Sequence, residues 1–206
     1  MTMDADGERR LLEEGAASYV PAVSAILTFR ELVQSRFRQV LEKRLVEHSA
    51  ALGVSLDKGQ VVEVQTRTSD WDGRYASLGV EMRNLGVARA WLSYLLCWEL
   101  GKDGSWITHV GALIWVRKRY QVEQLRKVFL PHPPNLTFSD IDKEIWLGER
   151  ITPAEAGKCD DKLDNLLTIW NELWKRAGGL KVLSAAESSS EDEDAEPDAS
   201  ADRTRD

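Results

Sequence analysis

Asp72, Glu81 and Arg83 are the residues of this 206-residue chain whose types and spacing come nearest to a reactive set. Two carboxylates nine positions apart can hold Mg²⁺, and a cation two positions further on can orient an attacking water. All three lie in TSDWDGRYASLGVEMRN, residues 68–84. The same stretch has a plainer reading as a β-hairpin with a charged outer face. In that reading Glu63 and Arg67 on one strand meet Glu81 and Arg83 on the next, each cross-strand pair contributing about 0.2–1 kcal/mol. The choice depends on the elements that carry these side chains.

Period-2 alternation carries them on strands. In QVVEVQTRT, Val62, Val64 and Thr66 alternate with Glu63, Gln65 and Arg67. In YASLGVEMR, Ala76, Leu78, Val80 and Met82 point one way, while Tyr75, Ser77, Gly79, Glu81 and Arg83 point the other. The turn between the two strands is placed at Ser69–Gly73. Upstream, Thr28 and Glu31 form a Thr-x-x-Glu capping box that opens a helix running to about Leu52, where Gly53 stops it. Downstream, residues 87–100 are apolar on nearly every side. Their aromatics and the following GKDGS turn favour a strand, and Gly101 as a helix C-cap is the competing account.

WITHVGALIWV is expected to be a buried strand, residues 121–129 a short helix, and EIWLGER a short edge strand. The three prolines of LPHPPNLTFSD exclude regular pairing there. Thr152-Pro153-Ala154-Glu155 combines a capping box with proline at the first helical position. The closing helix then carries Leu163, Leu166, Leu167, Trp170, Leu173 and Trp174 on one face and ends at Gly178-Gly179. The fold class is therefore α+β: an N-terminal helix, a largely antiparallel sheet of about four or five strands, a short helix and a long C-terminal amphipathic helix.

With that element order, the Asp72, Glu81 and Arg83 stretch resembles the metal-binding signature of the PD-(D/E)xK nuclease superfamily. The resemblance implies Asp72 and Glu81 as metal ligands and Arg83 at the position of the family's lysine, with Mg²⁺ as cofactor. This chain departs from the pattern in having Trp71 in place of the proline and an arginine, which does not deprotonate as lysine can. A helix at 87–100 would bring the strand–helix–strand order of that family.

Charge sets the domain limits. Residues 187–206 hold nine acids against two arginines, and residues 1–14 hold five acids against two. The overall charge of −7 thus belongs to the ends, and residues 15–186 are near neutral at +3. Residues 1–22 are expected to be a flexible acidic lead-in, 23–183 a single domain, and 184–206 a disordered acidic tail too poor in apolar residues to offset its ordering entropy. A near-neutral body gives no strong electrostatic case for nucleic acid or a membrane surface. One basic cluster stands out, Arg117, Lys118, Arg119, Arg126 and Lys127, whose functional reading is contact with phosphates or an acidic partner.

Cys97 and Cys159 make no disulfide framework. No uninterrupted apolar stretch of about 18 residues and no leader pattern appear, so the expectation is a soluble intracellular protein, cytoplasmic or nuclear, without a membrane partner. His48, His109 and His132 lack ligand spacing and are expected to be hydrogen-bonded core or surface residues. No Gly-x-Ser-x-Gly elbow, P-loop or Gly-x-Gly-x-x-Gly is present. Trp91, Trp98, Trp106 and Trp115 fall on the two central segments. A sheet apolar on both sides needs cover on both, and two amphipathic helices leave part of it for a partner.

The sequence is thus read as a non-enzymatic, cofactor-free protein-interaction module, adaptor or regulatory in kind. It would bind a protein partner or a second copy through its Trp-rich sheet or helix surface. A degenerate nuclease-like domain is the alternative, and nucleic-acid binding through residues 117–127 is not favoured.

Overall fold

A computed structural model of the chain describes residues 5–64, 75–86, 90–101, 104–152 and 154–184. The first helix, α1, spans Ala5–Leu52 and is 48 residues long. It does not begin at Thr28. The Thr28 hydroxyl donates to the Ser24 carbonyl at 3.0 Å, one turn back within the helix, and so caps nothing. Pro21 lies inside the helix too. Gly53, at φ +68°, ends it as expected, because the left-handed region is open to glycine without a Cβ clash.

Four strands follow in a meander, β1 (Val61–Val64), β2 (Tyr75–Met82), β3 (Trp91–Leu100) and β4 (Trp106–Trp115). The ambiguous apolar run is therefore a strand. Between its two antiparallel neighbours, Ser93, Leu95 and Cys97 on one face are buried as well as Leu92, Tyr94 and Leu96 on the other, which is why periodicity left it ambiguous. Helix α2 (Arg119–Val128) leads to β5 (Leu136–Ser139) and β6 (Glu144–Ile151). The sheet has six antiparallel strands in the order β1-β2-β3-β4-β6-β5.

Two expectations are corrected by this order. LTFS, within the proline-rich stretch, is the edge strand β5, since its residues lie beyond Pro131, Pro133 and Pro134 and keep their N–H donors. The EIWLGER segment is no edge, because β6 pairs with β4 on one side and β5 on the other.

After a short 3₁₀ turn at Glu155–Lys158, α3 spans Cys159–Ala177 and stops at Gly178, φ +77°. The expected capping box is only half made: the Thr152 backbone N–H and hydroxyl both donate to the Glu155 carboxylate, at 2.8 and 2.9 Å, while the Glu155 N–H bonds the Thr152 carbonyl and not its hydroxyl. Leu163, Leu166, Leu167, Trp170, Leu173 and Trp174 are all buried, as the helical spacing requires.

The inner face of the sheet can be read off the register. Val80, Tyr94, Ala112 and Leu147 form one transverse row, and Met82, Leu92, Ile114 and Ile145 the next. These side chains share one core with Val33, Phe37 and Leu41 of α1, Val122 and Leu125 of α2, and the α3 stripe. Ion pairs and hydrogen bonds fasten α1 across the layer. Arg44 grips Asp164 of α3 through two hydrogen bonds of 2.8 and 2.7 Å. Arg38 donates to the Val61 carbonyl at 2.7 Å. The result is a helical layer on one face of the sheet. Among the described residues, no helix covers the other face.

Candidate functional site

The outer face is a grid fixed by strand register. One row runs Ser77, Cys97, His109, Arg150; the next runs Gly79, Leu95, Gly111, Gly148; the third runs Glu81, Ser93, Leu113, Trp146. Trp91, Trp115 and Glu144 make a fourth. Three of the four positions in the second row lack side chains, which leaves a crease in the backbone surface that the Trp146 indole fills over Gly148 and Gly111. Close packing requires the absence. A Cβ on Gly79 would lie 1.9 Å from the Tyr94 carbonyl oxygen, and one on Gly111 2.5 Å from that of Leu147. A Cβ on Gly148 would meet the Trp146 indole at 2.0 Å, so this indole lies across Gly148 and reaches Gly111.

Beside the crease, Trp91 and Trp115 are directly opposed on β3 and β4, and their rings stack at 4.0 Å with an interplanar angle of 11°. Trp91 keeps 38% of its surface exposed. Stacked, pinned aromatics present apolar area whose side-chain entropy is already spent, the property that makes tryptophan effective at interfaces. Glu144 adjoins this pair, while His109, Arg150 and Glu99 lie toward the opposite end of the face. His109 titrates below the ordinary imidazole range because burial disfavours its charge, with Glu99 opposing and Arg150 assisting.

The four tryptophans grouped by sequence thus divide. Trp98 and Trp106 have the opposite parity and lie on the inner side, at the far end of the sheet, where Trp98 packs on Phe29 at 5.9 Å. Trp146 is the aromatic that sequence reasoning missed. Its signal was alternation, since Ile145 and Leu147 turn inward and leave Trp146 outward.

Glu81 and Arg83 are neighbours, with the guanidinium Nε donating to the carboxylate at 2.7 Å. The side chain of Glu81 is 9% exposed and that of Arg83 62%. This bond engages Oε2 and neutralises part of the charge that a cation would need. Asp72 and Arg67 lie outside the described residues. The charged hairpin face is corrected in one respect. Register puts Val62 opposite Glu81, whereas Glu63 pairs with Val80 and faces the helices, where Arg38 stands 4.0 Å away. Among the described residues no group of three or more His, Cys, Asp or Glu could hold a metal ion.

Members of the basic cluster have different surroundings. Arg126 turns to Asp140 with two contacts of 3.2 Å, pairs with Glu123, and covers the Phe138 ring at 5.1 Å. Lys118 is the N-cap of α2. Arg117, Arg119 and Lys127 are exposed. Cys97 and Cys159 are buried and form no disulfide with each other. His132 hydrogen-bonds the Arg126 carbonyl at 2.7 Å. His48 is buried at the centre of the molecule, between Asn171 and Tyr94. No helix among the described residues is long and apolar enough to cross a membrane. The tail from residue 185 lies outside the described residues.

The closing helix offers little free apolar surface, since its stripe is consumed by the core and only Ile169, at 39% exposure, stands out. Comparison of the chain with protein-family models, with curated proteins and with solved structures returned no match.

Proposed function

We propose that this chain is a protein-interaction module without catalysis, whose partner rests on the outer sheet face across Trp91, Trp115, Leu113 and Trp146. The observation that carries the reading is the stacked tryptophan pair beside an indole laid over glycines, on the face that no described helix covers. The partner's complementary chemistry is an apolar or aromatic ridge that packs on the Trp91, Trp115 and Trp146 rings, with carboxylate or basic groups placed for Arg150 and Glu144 toward the two ends of the face. Replacing Trp115 by alanine unstacks Trp91 and removes half of the stacked pair. Truncation at the centre of an interface costs about 2 kcal/mol or more, roughly 30-fold in Kd. The test is affinity capture followed by titration calorimetry with the captured partner, comparing wild type and Trp115→Ala. Near-UV circular dichroism checks that the inner core is unchanged. A partner bound equally well by both forms would place the contact elsewhere.

A second reading rests on the Glu81–Arg83 contact of 2.7 Å. A PD-(D/E)xK-like nuclease, with Asp72 completing the metal pair, would cleave DNA or RNA with Mg²⁺ or Mn²⁺ and lose all cleavage in Glu81→Ala. Wild type inert across a range of both metals removes that reading. The consecutive antiparallel strands β2, β3 and β4 do not supply the strand–helix–strand order to which the resemblance appealed.

A further inference from the structure

Helix α1 continues well beyond the domain it serves. Residues 33–52 carry the buried side chains Val33, Phe37, Leu41, His48, Ala51 and Leu52. Residues 5–28 form an arm of about 36 Å at 1.5 Å per residue. Along this arm the docking stripe does not stop. Leu12, Ala16, Tyr19, Val23 and Ile26 are spaced alternately by four and three residues, and the series runs on through Arg30 to Val33 and Phe37. This is the 3.5-residue repeat of helices that pack side by side. The second half of the stripe has its partners in α3 and the sheet, yet Leu12 is 73% exposed, Tyr19 69% and Ile26 53%. The arm also contains Gly15 and Pro21, and Pro21 withholds a backbone donor in its middle. A lone helix with these breakers is marginal in water, so its stability calls for a covering surface.

Charge identifies the cover. Residues 5–14 have four acids and two arginines, net −2; residues 15–29 have no charge; residues 30–38 have three arginines and one glutamate, net +2. Two such helices side by side and parallel would put Arg30 on Arg30 and acids on acids. Turned antiparallel, the uncharged stretches coincide and the acidic turns of each approach Arg30 of the other, Arg36 and Arg38 being bonded to Gly157, Asp160 and Val61 of their own domain. Where each arm leaves its domain, Phe29, 38% exposed, packs on Trp98 at 5.9 Å and adds apolar surface at the arm's root. We infer that α1 is the dimerisation arm of this protein, and that the occupant of its Leu12–Tyr19–Ile26 stripe is the antiparallel arm of a second copy. This surface is separate from the outer sheet face, so a dimer presents two such faces.

Sedimentation velocity of the full chain is the first test, with twice the 23.2 kDa chain mass expected at micromolar concentration. The double substitution Tyr19→Glu and Ile26→Glu should weaken self-association by about 100-fold or more. Val46→Glu, at an 85%-exposed position on the docked part of the same helix, should leave it unchanged. Direction is read from a spin label at Asp6→Cys, the native cysteines being buried. Antiparallel arms put the two labels about 35 Å apart or more, at 1.5 Å per residue of stagger. A monomer at high concentration, a dimer that survives the double substitution, or a label distance below about 20 Å at that same rise per residue would each overturn the proposal.

Discussion

Lowering the pH from about 6.5 to about 4 should remove about 3 kcal/mol of folding stability through one side chain, His48. Its ring is 1% exposed and sits where α1, α3 and the sheet meet. Asn171 Oδ1, 2.6 Å away, accepts the proton of Nδ1, which leaves Nε2 to accept from the Tyr94 hydroxyl. The neutral imidazole therefore satisfies both neighbours. A charged imidazolium would have to donate from Nε2 as well, turning the Tyr94 proton toward Met82 Sδ, 3.9 Å away and a weak acceptor. Burial pushes the His48 pKa down to about 4 from 6.5, while the hydrogen bond to Asn171 and the nearby Glu47 pull the other way.

The sign follows from proton counting. Between these two values the unfolded chain binds a proton that the folded chain refuses. The stabilising contribution is complete above pH 6.5, falls as the pH drops toward about 4, and changes no further below it. Carboxylates titrate in the lower part of the same window, so the measurement is a difference. Urea unfolding of wild type and His48→Gln across this range should give curves whose separation changes by about 3 kcal/mol. Parallel curves would show that His48 is not the proton acceptor.

The second large effect is expected at Gly79. A methyl group there would lie 1.9 Å from the Tyr94 carbonyl oxygen and 3.1 Å from the Leu95 Cα. Both obstacles are backbone of the adjacent strand, so no side-chain rotation relieves them. Gly79→Ala must push β2 away from β3 and disturb the rows carrying Tyr94 and Leu95. A loss of about 3 kcal/mol or more is expected in chemical denaturation, at the upper end for inserting one carbon into a packed site. Gly148→Ala is the useful contrast, because its obstacle is the Trp146 indole, which can rotate away. A Gly79→Ala protein as stable as wild type would mean that the two strands do not approach this closely.

The parts of the fold legible in the sequence are those where one face alone is buried. Helix α3 and the alternating β2 announce themselves through periods of 3.6 and 2 because each divides cleanly into wet and dry sides. The origin of α1 was not legible. Thr28 and Glu31 have the types of a cap, but a threonine hydroxyl serves equally well by bonding back one turn, as it does to Ser24. The edge position of EIWLGER was misjudged because a strand's own residues record burial and not the identity of its neighbours. On the candidate face, period 2 alone separates Trp91 from Trp98 and Trp106 from Trp115. The crease is different: Gly79, Gly111 and Gly148 are scattered in the sequence and align only once the register of four strands is known. The charged set was half legible, since Glu81 and Arg83 had to share a face whereas Glu63, one register step away, did not.

The connection between α1 and α3 has a consequence for biosynthesis. The first four strands are a meander of sequence neighbours, able to zip up hairpin by hairpin as they are made. Docking α1 is another matter, because Arg44 and Asp164 meet across 120 residues and the core partners of Phe37 and Leu41 include α3. Burial of α1 against α3 must therefore wait until nearly the whole domain has been made. Throughout that interval the arm and the part of the stripe that α3 will cover are presented to the nascent chains emerging from neighbouring ribosomes.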